Sequence, residues 1–264
     1  MKIKLNGFFI FTLLFTTSLL GQTNQEIAAT PQRPSFSTST ATTYSGWLEL
    51  EAGVSVDKHL LDSPLVLKLG AMRNFELFVG LSPMMSVSNG SSKTGFGDMA
   101  FGGRVRFKES TINSPSLAGQ FSIKLPTADE SKGLGTGEVD FNFLFILSQS
   151  FGNVGMDFNM GFSILGNPEG GNNAQILGIL TFSRLITAKF SGYGEIYVNH
   201  GIELDDTESN SFENDEAVFI GAVGVSYSPS ALLVFDAAFN FNLSNAPFDF
   251  QVLAGVTATL TRFW

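Results

Sequence analysis

His59 and His200 are the only histidines of this 264-residue chain, which contains no cysteine. Acid–base and metal chemistry therefore have few side chains to work with. A hydrolytic site needs a nucleophile and a general base on one surface. His200 with Ser209 or Ser211 supplies both types, but no motif sets their geometry. Residues 201–216, GIELDDTESNSFENDE, carry Glu203, Asp205, Asp206, Glu208, Glu213, Asp215 and Glu216 with no base among them. Such oxygens suit hard divalent cations, yet the glycine that an EF-hand loop needs at its sixth position is missing. A solvated loop, bridged loosely by divalent ions to anionic lipid heads, is the simpler expectation. Gly133-Leu134-Gly135-Thr136-Gly137 is not a phosphate loop, because no Lys-Ser/Thr pair follows it. No cofactor and no metal site are expected.

The charges that remain are spread along segments of alternating character, and these segments must position them. In 138–151, EVDFNFLFILSQSF, Val139, Phe141, Phe143, Phe145 and Leu147 share one face, while Glu138, Asp140 and Asn142 begin the other. Residues 154–164 repeat the pattern, and Gly152-Asn153 between the two suits a tight hairpin. Similar alternation covers about 47–56, 64–72, 75–84, 96–107, 117–125, 175–185, 189–199, 216–227, 231–243 and 249–264, which makes twelve strands in all. Glu49, Glu51, Lys68, Glu76, Arg104, Arg106, Lys124, Asp140, Asp157, Glu195 and Asp236 all fall opposite the more apolar set. The connections alternate between very short ones (73–74, 152–153, 186–188, 228–230) and long polar ones (85–95, 126–137, 166–174, 200–215), with two exceptions: 108–115 is longer than a short turn should be, and the loop around Ser244–Pro247 is short.

The composition fits aromatic strands joined by turns: 27 Phe and 28 Gly in a chain only 15% charged. The formal net charge of −9 excludes nucleic acid as a partner. Residues 1–21 read as an export signal, with Lys2 and Lys4 before the apolar stretch Phe8–Leu20 and a small residue, Gly21, for cleavage. Residues 22–45, rich in Thr, Ser, Gln and Pro, read as a flexible lead-in on the periplasmic side. Residues 46–264 then form the folded domain.

A soluble sandwich also alternates, so the question is whether the apolar face meets protein or lipid. In lipid every backbone group must be paired within the protein, so the sheet must close and its polar face must line the interior. Alternating short turns and long loops are the habit of such barrels, with both termini in the periplasm. The expectation is an all-β, up-and-down transmembrane barrel in the bacterial outer membrane, surrounded by lipid and lipopolysaccharide. Antiparallel pairing would then set Glu76 opposite Arg104, with Arg106 nearby, towards the periplasmic end of the lumen. It would set Lys124 opposite Glu138 or Asp140 near the outer mouth. Such pairs act as a selectivity element or, more simply, brace a nearly closed barrel. The final strand, FQVLAGVTATLTRFW, puts Val252, Ala254, Val256, Ala258 and Leu260 on one face and ends at Trp264. It resembles the C-terminal signal read by the barrel-assembly machinery, although that signal usually ends in Phe, and Arg262 stands where an apolar residue is usual.

The segments 94–107 and 124–143 resemble the outer-membrane family labelled as transporters of the phenol meta-cleavage degradation pathway. The matching residues are Gly95, Gly97 and Asp98, then Leu125, Pro126 and Thr127, then Gly133, Gly135, Gly137 and Asp140; Ala128 stands where the family often has Gly. The resemblance implies a channel-like barrel. The functional expectation is passive passage of small, hydrophobic or aromatic molecules of unknown identity. The alternatives are a structural, loop-displaying barrel and a lipid-modifying enzyme.

Overall fold

Alternating residues put one set of side chains on each face of a strand, and a sheet with one apolar and one charged face buries the charges by curling shut. The computed structural model describes residues 27–89, 91–168, 172–203 and 216–264, and shows this closure. The export signal, Ser209, Ser211 and most of the acidic loop lie outside the described residues. The strands in chain order are β1 (Trp47–Val56), β2 (Leu60–Asp62), β3 (Leu65–Met72), β4 (Phe75–Leu81), β5 (Met85–Asn89), β6 (Ser91–Gly95), β7 (Met99–Lys108) and β8 (Ser116–Leu125). They continue as β9 (Asp140–Phe151), β10 (Val154–Gly166), β11 (Asn172–Leu185), β12 (Phe190–Glu203), β13 (Val218–Ser230), β14 (Leu233–Ser244) and β15 (Phe250–Arg262). Twelve of them pair antiparallel with their neighbours, and β15 returns to β1 along ten residue pairs from Trp47↔Arg262 to Val56↔Val252, leaving no free edge in the barrel. The short strands β2, β5 and β6 lie outside this ring and form a small sheet continuing from the far end of β1.

Four short connections (73–74, 152–153, 186–189, 231–232) and the longer 109–115 gather at one end of the barrel with the start of β1 and the end of β15; the others, among them the short 245–249, gather at the opposite end. The turn at 73–74 works because Asn74 takes a left-handed φ of 64°, a conformation its short amide side chain tolerates.

The register places Phe121, Phe143, Phe145, Phe158, Phe162, Phe182, Phe235 and Phe239 on the outside, all exposed in the chain by itself. Phe121 and Phe143 face each other across the β8–β9 pair with ring centroids 4.9 Å apart. A wall of this kind is far more apolar than a water-soluble surface sustains; in acyl chains it costs nothing. Met160, 54% exposed in the middle of β10, gives a direct test. Met160→Arg is expected to cost about 2–4 kcal/mol in a bilayer. The loss would appear as a lower denaturant midpoint for folding into vesicles; an unchanged midpoint would mean that this face meets water.

Candidate functional site

Glu49, Glu51, Lys68, Glu76, Arg104, Glu195 and Asp236 point into the barrel and are all buried. A barrel of twelve strands is wide enough to leave space at its axis, so something must cover these groups. The covering element is the chain ahead of β1. Residues 29–45 enter at the short-turn end, where Ala29 N donates to Ala231 O (2.7 Å), cross the lumen, and return to begin β1. The sequence reads 22–45 as a flexible lead-in on the periplasmic side and leaves open whether it enters the lumen; residues 29–45 form a polar plug inside the barrel. A stretch with no apolar period cannot join an apolar core, but here the interior is itself polar and supplies partners for the backbone.

The partners follow the wall strand by strand. Glu49 accepts from the backbone N–H (2.8 Å) and hydroxyl (2.9 Å) of Thr30, and Glu51 from Gln32 N (2.7 Å). The Glu195 carboxylate receives the N–H groups of Phe36 (2.8 Å) and Ser37 (2.9 Å), while Asn159 both accepts from Thr38 N (2.7 Å) and donates to Thr38 O (2.9 Å). Thr40 N donates to Ser148 (2.9 Å), the Thr40 hydroxyl to Ser116 (2.8 Å), and Thr43 to Glu76 through N–H and hydroxyl (both 2.7 Å). Every one of these wall groups lies within a few residues of the short-turn end of its strand, so the plug fills that half of the barrel.

Two cations organise it. The Lys68 ammonium, 2% exposed, holds Glu49 at 2.5 Å and Glu51 at 2.6 Å and donates to Thr30 O at 2.7 Å. Arg33, carried by the plug, lies flat on the backbone of β1 and β15, bonding Ala254 O (3.0 Å) and Asp236 (3.4 Å). Gly53 and Gly255 make that approach possible, since a Cβ on either would collide with the guanidinium.

The structure distributes the six charges expected to line the lumen as follows. Glu76 stands opposite Arg104 in the β4–β7 pair, yet both are spent on the plug. Arg104 donates to Ser39 O (3.2 Å) and Ala41 O (2.9 Å), and to Gln120 (2.7 and 3.1 Å). Arg106 sits at the rim, bound to Asn74 (2.6 Å), with Glu109 at 3.7 Å. Lys124 pairs with Asp140 at 2.8 Å and approaches Asp98 at 3.6 Å. Glu138 lies in the loop before β9, against Gly166. Missed from sequence were Arg33 and the Thr30–Thr43 backbone; the available signal was one arginine in a Ser/Thr-rich stretch preceding strands rich in inward carboxylates.

The glycine-rich pieces shared by 94–107 and 124–143 assemble at the loop end into one knot. Asp98 accepts the N–H groups of Thr127 (3.0 Å) and Ala128 (2.9 Å), and Lys124 also donates to Thr136 (2.8 Å). A Cβ on Gly135 would press on the Asp98 carboxylate, Gly133 and Gly137 take φ of 71° and 77°, and Leu134 is buried. In the same loop the Ser131 hydroxyl, aided by Lys132, holds the Asp129 carboxyl below its usual range. This knot is the physical content of the motif. The model of the family described as "Putative MetA-pathway of phenol degradation" matches residues 28–260. The chain belongs to this family.

An outer membrane channel from Pseudomonas putida F1 superposes with a TM-score of 0.65 at 9% identity, covering 83% of this chain and 97% of that one. The NanC porin gives 0.55 at 9% (81% and 100% covered), and the translocator domain of the autotransporter NalP from Neisseria meningitidis 0.52 at 12% (83% and 90%). Among curated proteins none matches the chain. These likenesses show the outer-membrane barrel fold. As for hydrolysis, His200 is exposed on the outward face of β12 with Ile196, while the His59 ring bonds Ser88 O (3.1 Å) at the loop end.

Proposed function

We propose that this family member is a gated channel for passive passage of small molecules across the bacterial outer membrane. The observation that carries the reading is the plug. It fills only the short-turn half of a charged, enclosed interior and is held there by hydrogen bonds rather than by an apolar core. A barrel whose task was purely structural would gain more from packed side chains, because buried ion pairs contribute little net stability over apolar packing. In this reading residues 1–21 direct export and are removed, the short turns and both termini face the periplasm, and the strand ending at Trp264 engages the barrel-assembly machinery. The loops face outward towards lipopolysaccharide. The family description points to phenol degradation, so a small aromatic compound is one solute to test.

The experiment is swelling of proteoliposomes in isotonic solutions of small solutes. The purified protein is expected to admit solutes of low mass faster than protein-free vesicles do. Equal rates, both for this protein and for a form lacking the plug, would overturn the channel reading.

A further inference from the structure

The plug is not tied evenly round the barrel. Its hydrogen bonds reach β1, β3, β4, β7, β8, β9, β10, β11 and β12 through the side chains of Glu49, Lys68, Glu76, Arg104, Ser116, Ser148, Asn159, Thr181 and Glu195. Across the remaining sector Ala29 at the rim and Arg33 bond the wall. The inward residues of β13 in this sector, Ala222, Gly224 and Ser226, are small. The gap is spanned by an aromatic ring: Tyr193 lies across Gly224, where a Cβ would collide with it.

A second observation falls in the same sector. Tyr193 Oη, Asp236 Oδ2, Thr257 Oγ1, Asn240 Oδ1 and Arg33 Nε are buried with no hydrogen-bond partner, and Asp236, Asn240 and Thr257 are at least nine-tenths buried. Elsewhere on the short-turn half, Glu76 and Gln149 contribute one such atom each among the described residues. An orphaned buried polar group costs about 1–3 kcal/mol, and a concentration of them along one seam is explained when small polar molecules occupy it in turn. From Asp236 to Asn240, four residues along β14, the wall atoms rise roughly 13 Å towards the loop end.

We propose that solutes pass the plug along this seam between Arg33 and strands β12–β15, with Tyr193 as its movable side, and that the seam selects small neutral molecules bearing hydroxyl or amide groups. The donors and acceptors offered are of both kinds, and the Arg33–Asp236 pair leaves the seam without net charge, so neither cation nor anion is favoured. The inference rests on the channel reading and refines it: the plug need not leave for transport to occur.

The absence of native cysteine makes a clean test. Thr257→Cys and Asn240→Cys place a thiol in the seam; Ala118→Cys places one on β8, fully buried at the opposite wall. In proteoliposomes treated with methyl methanethiosulfonate, both seam variants are expected to gain the mass of the adduct and to lose glycerol permeability several-fold, while Ala118→Cys stays unmodified. Two seam positions guard against one failing to fold. Unreacted seam thiols, equal reaction at Ala118→Cys, or modification without loss of flux would each overturn the seam and leave the channel reading standing. Absence of glycerol flux through both the unmodified protein and a plug-deleted form would instead overturn the channel reading itself.

Discussion

Deleting residues 30–43 is expected to raise the single-channel conductance by about tenfold, because twelve strands enclose a lumen between the side-chain-filled small barrels and the open porins. The barrel should still fold, since the strands pair with one another around a closed ring and need nothing from the plug. Heat-modifiable gel migration would confirm this. The opened pore should also prefer cations. With Arg33 gone, the wall presents Glu49, Glu51, Glu76, Asp157, Glu195 and Asp236 against Lys68 and Arg104, and a ring of excess carboxylates repels anions. Reversal potentials in a salt gradient measure that preference. Unchanged conductance in a folded, deleted barrel would show that the segment does not obstruct the lumen.

Lys68→Met should have the largest effect on stability. The ammonium is buried between two glutamates, 2.5 and 2.6 Å away, and also ties down Thr30. Removing one partner of a buried ion cluster leaves uncompensated charge in a poorly hydrated place, at a cost of about 3–5 kcal/mol. The denaturant midpoint in detergent or vesicles is expected to fall accordingly. The triple variant Lys68→Met, Glu49→Gln, Glu51→Gln should recover much of that loss, because no buried charge then lacks a partner and the amides can still accept from Thr30 and Gln32. If the single variant were as stable as the parent, the site would have to be hydrated. If the triple variant were no better than the single, the cost would lie in lost packing of the lysine stem instead.

The two large effects differ in how far they could be read from sequence. The strand segments, their sidedness and the order of short and long connections follow from a period of two, a local property: in 138–151 each phenylalanine declares its face without knowledge of its neighbours across the sheet. The Glu76–Arg104 pairing was legible as well, since antiparallel neighbours set inward residues opposite one another. Between the two partners offered to Lys124, only the fold could choose, because Glu138 lies beyond the strand, where the chain bends into the loop knot.

The plug is a different kind of feature. Nothing in TPQRPSFSTSTATTYS has a period, and a segment without apolar residues at regular spacing looks the same whether water or a ring of carboxylates meets its backbone. Its order arises from contacts made across more than 200 residues of chain, such as Arg33 with Asp236, and from Gly53 and Gly255, whose bareness has meaning only once β1 and β15 are joined. By itself the sequence determined a closed barrel with lipid outside and charge inside, since alternation is written residue by residue. The tertiary structure decided what occupies the inside, because hydrogen-bond partners brought together from distant strands leave no periodic trace in the chain.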